Sequence, residues 1–371
     1  MLKFPVQVQA GASSGQLDLL SFARPRQLMI EMTSRCNLRC VYCPKADPAY
    51  NQLPGRDEDM APDWRQRALD LVRETAPQQV MLSGTGETTF MQDWMEAVRP
   101  FRALGSRLMM ISNFGRNLSP EEIDFLSEFD ALTVSIDTCD EATMAAVRKK
   151  VSVARITHNV VMVRGAARRS GRRGPEINVN CTVQIANIDK LKDLAAYCST
   201  VGVDILTLSS LFEPDLPSEL AQGIERLPAD RLAAARQHVL ETIALCRDLG
   251  LTLQIQPRLA ALLDGTSEDA VHVPNRKTRL CMQPWQQYTV AADGKLFPCC
   301  VTSEHVGDLA QPGNPLDGDG IRAFRRRLLE GDMPDMCRHC SNAPLGDNVT
   351  LMSMVASFLV ESGVPLQRDA A

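Results

Sequence analysis

"QLMIEMTSRCNLRCVYCPK", residues 27–45, is the stretch that decides the fold. Residues 27–32 are a short apolar run that reads as a β-strand. Cys36, Cys40 and Cys43 follow at CxxxCxxC spacing. Three thiolates on one loop can hold three corners of a cubane [4Fe–4S] cluster, leaving the fourth iron without a protein ligand. An open iron can take a small chelating molecule, as an open zinc position takes substrate, whereas four thiols would close the site. A structural zinc site would need a fourth ligand, and the nearest histidine is the distant His158.

Downstream of the thiols, short β-rich runs alternate with amphipathic ones. Strands are expected at "QQVMLS", "RLMMIS", "ALTVSID", "INVNCTVQ" and "DILTLSS", with helices between them, and "LTLQIQ" as a last strand. Ser119 and Pro120 open one helix as N-cap and first residue. Another helix is expected to kink or break near Pro100. "VSVARITHNVVMVRGAARR" is rich in β-branched residues, yet Val153, Ile156, Val160 and Val163 share a helical face. A helix is expected there, because a crossover must precede the next parallel strand. Repeated β-then-α order implies parallel strands with right-handed crossovers. The expected fold is α/β, a partial (β/α)6-type parallel barrel with a small C-terminal Fe–S module. The expected bounds are an N-terminal extension at 1–26, the barrel at 27–256, a linker at 257–280, the module at 281–345 and a tail at 346–371.

The bulk numbers agree with a globular protein. The chain has 371 residues, 44% apolar, 23% charged and a net charge of −5. That charge balance speaks against a general nucleic-acid binder. No apolar stretch is long enough to span a bilayer, and the N-terminus lacks the apolar core of a secretory signal, so a cytoplasmic protein is expected. Twelve cysteines in a reducing compartment point to metal or cluster binding for the clustered ones.

A second thiol group reads "CMQPWQQYTVAADGKLFPCC", then "CRHC". Cys281, Cys299, Cys337 and Cys340 can close a second [4Fe–4S] cluster. "ADG" is a hairpin signal, with Gly294 supplying positive φ, and the hairpin would return the chain toward Cys281. Cys300 adjoins Cys299 and competes with it as the ligand. The alternative is a four-cysteine zinc knot that only folds the module.

With these motifs in place, the chain resembles the radical S-adenosylmethionine (SAM) enzymes. Their motif is CxxxCxΦC with an aromatic Φ, and Tyr42 fills that place. "SGTGETT" (83–89) resembles the family's GGE motif, with Thr85 inserted between the glycines. The resemblance implies that Gly84, Gly86 and Glu87 lie near the SAM amino group. "SNFG", with Asn113, sits where the family often has TNG, and Ser135 matches the ribose-contacting position. The second thiol group is similar to the SPASM/twitch extension. No cysteine follows Cys340, which implies one auxiliary cluster in the shorter, twitch-like form.

The resemblance implies reductive cleavage of SAM and hydrogen-atom abstraction from a substrate, with an electron donor such as flavodoxin or ferredoxin. Twitch-like relatives point to a carbohydrate- or nucleoside-like small molecule, dehydrogenated or epimerised. A ribosomally made precursor peptide is the alternative substrate. No N-terminal peptide-recognition domain is expected in the short stretch before Gln27, which counts against the peptide, although such a domain can be a separate protein. A zinc-stabilised binding protein is the non-enzyme alternative. Cys139 and Cys181 are candidate hydrogen donors for an epimerase, against the plainer reading of buried apolar thiols. Glu31 and Glu213 are possible cavity residues at strand ends. The arginines of "RGAARRSGRRG" could bind phosphate but suit a solvated helix end.

Overall fold

The computed structural model describes residues 3–7, 14–211, 222–264, 278–340 and 342–365. Labelled in chain order, an antiparallel hairpin of β1 (Lys3–Gln7) and β2 (Ser14–Asp18) comes first. The barrel strands are β3 (Gln27–Ile30), β4 (Gln79–Leu82), β5 (Arg107–Ser112), β6 (Ala131–Ser135), β7 (Glu176–Val183), β8 (Ile205–Ser210) and β9 (Thr252–Ile255). Every neighbouring pair among these seven is parallel. The six strands expected by residue 210 are present, and β9 extends the sheet beyond them.

Crossover helices cover one face: α1 (Pro62–Thr75), α2 (Trp94–Arg102), α3 (Pro120–Leu126), α4 (Val153–Arg169), α5 (Leu191–Val201) and α6 (Ala229–Leu249). The segment read as helix against its β-branched content is α4, with Val153, Ile156, Val160 and Val163 all buried. Helix α3 begins with a capping box, Ser119 and Glu122 each bonding the other's backbone N–H. Pro100 lies inside α2, which stops two residues later at Arg102.

Strand alternation sets the two faces of the sheet. Leu28, Ile30, Val80, Leu82, Leu108 and Val134 are buried under the helices. The opposite, concave face carries Met29, Met81, Met109, Thr133, Asn178 and Thr207. In-register pairing aligns Met29 with Met81 and Met81 with Met109.

The C-terminal module is joined to the barrel through the sheet itself. β10 (Gln287–Val290) pairs in parallel with β3, and β11 (Lys295–Phe297) and β12 (Gly307–Asp308) follow in antiparallel order. The expected hairpin is present between β10 and β11, and Gly294 takes φ +80° at its turn. Arg325, on α7 (Asp319–Glu330), is fully buried and donates to the Pro284 and Leu20 carbonyls at 3.0 and 2.8 Å. It thereby clamps the N-terminal segment to the module.

Two segments differ from the sequence reading. Residues 257–264 of the expected linker form a helix, Pro257–Asp264, because Pro257 opens the helix and does not merely end the strand. The expected tail holds α8 (Asn348–Glu361), capped by Asp347 and buried along Leu351, Val355, Phe358 and Leu359. Those four residues fall at helical spacing, a period that the expectation of a tail at 346–371 does not use.

Candidate active site

The thiol loop after β3 is shaped by its neighbours. The main chains of Thr33 and Arg35 run so close to the GTGE loop that a Cβ on Gly86 would stand 2.2 Å from the Thr33 carbonyl oxygen. Glu87 N–H donates to the Arg35 carbonyl at 2.8 Å. A Cβ on Gly84 would lie 2.3 Å from the Glu31 side chain. Both glycines are therefore required by close approach, and Thr85 between them turns away to donate its N–H and hydroxyl to Glu31, at 2.6 and 2.7 Å.

Cys36, Cys40, Cys43, Tyr42, Gly84, Gly86, Glu87, Asn113 and Ser135 all line one cleft at the carboxyl ends of the strands. Glu87 turns both carboxylate oxygens inward. It accepts from the Ser112 hydroxyl at 2.8 Å, the Asn113 N–H at 2.7 Å and Thr89. These contacts fix the loop and the end of β5. The Asn113 amide donates to Asn37 Oδ1 at 2.9 Å, tying β5 to the thiol loop.

Sequence reasoning missed the pair that supports this loop. Asp137, with a fully buried side chain, accepts from Arg148 Nε at 2.7 Å and Nη2 at 3.1 Å. It also accepts the Tyr42 hydroxyl at 2.7 Å and the Thr182 N–H at 3.0 Å. The Arg148 guanidinium lies 5.4 Å from the centre of the Tyr42 ring, and a short bridge pairs Arg148 with Cys40. No local motif announces Arg148, because only the tertiary fold brings it beside the thiols. Glu31 is likewise buried, and its second oxygen accepts the Ala292 N–H of the module at 3.2 Å.

The donor set fits a cluster. Burial pushes the Cys36 thiol up to about 12 and Cys40 to about 11, and each thiol of the trio lies within electrostatic range of another. A coordinated metal adds the positive charge that holds such buried thiols as thiolates. In the module, burial pushes Cys281 up to about 12, and Cys281 faces Cys299, Cys337 and Cys340. Cys300 is exposed and faces Cys299 and Cys340. Arg279, also missed, donates to the carbonyls of Cys337, Arg338 and Ala343 at 3.1, 2.9 and 3.1 Å, which shapes the CRHC turn. Among the described residues, no group of three His, Cys, Asp or Glu is placed to hold a single metal ion.

The two candidate hydrogen donors stand elsewhere. Cys181 has no exposed surface and sits on the helix-facing side of β7, donating to the Asp137 carbonyl at 3.4 Å. Strand alternation turns it away from the cleft, which is lined from the neighbouring strand by Ser135. Cys139 is part-buried and lies near Asp193, Cys198 and Tyr197 of α5, outside the cleft lining. Glu213 lies outside the described residues. Arg164 is bonded to the Pro175 carbonyl at 2.9 Å and paired with Asp204, so this arginine is structural. Among the described residues, no helix is long and apolar enough to cross a membrane.

A parallel partial barrel with three thiols at its carboxyl end and four in an appended module defines an iron–sulfur enzyme of the radical type. The radical SAM superfamily profile matches residues 30–171, and an iron–sulfur cluster-binding domain of the SPASM type matches 281–341. The chain belongs to the radical SAM superfamily, with [4Fe–4S] clusters and SAM as cofactors. It is similar to a probable GTP 3',8-cyclase of Methanothermobacter marburgensis, 24% identical over 81% of this chain and 94% of that one. It is also similar to the PqqA peptide cyclase of Streptomyces rochei, 26% identical over 85% of this chain and 81% of that one. Native anSMEcpe with bound AdoMet shares the fold, with a TM-score of 0.58 at 16% identity, over 91% of this chain and 97% of that one.

Proposed function

We propose that the protein modifies a peptide, as the maturase of a ribosomally made precursor. The observation that carries this reading is a neutral band at mid-height on the inner wall of the barrel, above Arg107 and Glu176 at the amino ends of their strands and below the thiol cleft. Met29, Met81, Met109, Thr133, Asn178 and Thr207 bear no ionised group, and Thr207 is hydrogen-bonded to Asn178 at 3.0 Å. A triphosphate is normally met by Arg or Lys, which offer charge-assisted hydrogen bonds. A neutral chain needs none. The similarity to a peptide cyclase supports the same reading. The cyclase of a nucleotide among the relatives keeps a second one open, a nucleoside- or carbohydrate-like small molecule.

Cys36, Cys40 and Cys43 would hold the SAM-binding cluster, and Cys281, Cys299, Cys337 and Cys340 the auxiliary one. When bound, the first cluster and SAM supply a 5′-deoxyadenosyl radical that removes a hydrogen atom from substrate. The chain's own residues hold and shield. Gly84 and Gly86 let the GTGE loop close against the thiol loop. Ser135, Asn113 and Tyr42 are proposed to contact SAM from three sides of the cleft. The Asp137–Arg148 pair holds Tyr42 in place.

The test is isotopic. Holoenzyme, SAM and dithionite are incubated without air with a deuterated precursor peptide encoded beside its gene. Deuterium in the recovered deoxyadenosine is the expected result. Label arriving instead from deuterated GTP or a deuterated sugar, with none from peptide, overturns it.

A further inference from the structure

The amino ends of the strands carry a second cavity, of about 480 Å³, outside the cleft just described. Its lining is Arg26 and six glutamines: Gln27, Gln78, Gln79, Gln283, Gln286 and Gln287. None of the six side-chain carboxamides has a hydrogen-bond partner among the described residues. Three of them form a row. Gln287 is in register with Gln27, and Gln27 with Gln79, across adjacent parallel strands, which sets neighbours about 4.8 Å apart.

This row lies on the concave face, as does the cleft. Along β4, Gln79 opens into the cavity and Ser83, four residues on, lines the cleft. Four residues of strand span about 13 Å. Between the two ends stand Met29, Met81 and Thr289, and the Thr289 hydroxyl is buried without a partner. A polar group left unsatisfied on that wall is costly unless a bound group completes it.

We infer that the glutamine-lined mouth is a binding site for the uncharged main chain of the substrate peptide. A carboxamide offers a donor and an acceptor on one group, and so does each peptide unit, so the two pair reciprocally. The row presents this chemistry repeatedly, without an acid that would select a cation. An extended segment of about four residues reaches from the mouth to the cleft. The mouth anchors the chain, and the residue a few places along is delivered to the thiol end. A single sugar ring is too short to occupy both. This inference rests on the peptide reading.

The experiment uses holoenzyme with both clusters and the neutral probe acetyl-Gly-Ala-Gly-Ala-Gly-Ala-amide. Calorimetry reads its affinity, and amide hydrogen exchange reads where it protects. Protection at residues 76–81 and 283–289 is expected, with affinity at least tenfold weaker in Gln27→Leu/Gln79→Leu. Iron content and melting temperature establish that this variant folds. Should it not fold, Gln287→Leu alone gives the same reading with a loss of about threefold. Probe binding unchanged by these substitutions, or protecting only the cleft, overturns the mouth and leaves peptide modification standing. GTP or myo-inositol protecting the mouth where the probe does not overturns the peptide occupant, and the peptide reading with it.

Discussion

The two thiol groups are built in opposite ways. The trio Cys36, Cys40 and Cys43 comes from a single loop, so its geometry is set locally and then braced from afar. The quartet spans Cys281 to Cys340 and is assembled from separate segments: the chain before β10, the end of β11 and the helix Asp335–His339. Its geometry exists only once β10 has docked on β3 and Arg279 has gathered the CRHC turn. A site on one loop fails by losing chemistry, whereas a site gathered from several segments fails by losing structure.

The largest expected effects test that contrast. Cys40→Ala should reduce deoxyadenosine formation to background and lower iron from roughly eight to roughly four per chain, with little change in melting temperature. Cys337→Ala should lose a similar share of iron, keep deoxyadenosine formation and lower the melting temperature clearly. Iron analysis, chromatography of deoxyadenosine and thermal melts of the two variants decide the matter. Equal melting losses in both would break the contrast.

The supports come next in size. Asp137→Asn leaves Arg148 buried without its counter-charge and should cost about 3–5 kcal/mol. Its signature beyond stability is a disturbed cluster spectrum, because Tyr42 and Cys40 lean on the same pair. Arg279→Lys replaces a planar fork with a point charge and should cost about 1.5–3 kcal/mol. That loss should appear as weaker retention of the auxiliary cluster, with the trio's signal intact. Denaturant melts and electron paramagnetic resonance separate the two.

Much of this was legible, for physical reasons that also mark the boundary. The trio, Tyr42 and the two glycines could be read because a loop tightly wrapped around a site shows its constraints in consecutive residues. The barrel could be read because crossover helices repeat their buried period, as in α4 with Val153, Ile156, Val160 and Val163. Arg148 and Arg279 could not be read, since a guanidinium's partner is fixed by tertiary contact and leaves no local pattern. The helix-facing side of Cys181 depended on the register of β7. The docking of β10 on β3 was out of reach too, as no period in "QQYTV" states which strand it will join.

Glu31 stands where the two regions meet and gives the smallest effect of the series. One carboxylate oxygen accepts twice from Thr85 in the GTGE loop, and the other accepts from Ala292 in the module's turn. Glu31→Gln keeps the shape but turns an NH2 donor toward one of those N–H groups, at a cost of about 1–3 kcal/mol. An amide oxygen facing Thr85 keeps both of that residue's bonds as they stand, whereas one facing Ala292 sets the NH2 against the Thr85 N–H and obliges the Thr85 hydroxyl to reverse and accept. The amide should therefore settle with its oxygen on the GTGE loop, leaving Ala292 unpaired. The expected result is faster hydrogen exchange at residues 291–294 with deoxyadenosine formation reduced by less than about threefold. Faster exchange in the GTGE loop instead, with the module unchanged, would show that Glu31 serves the trio alone.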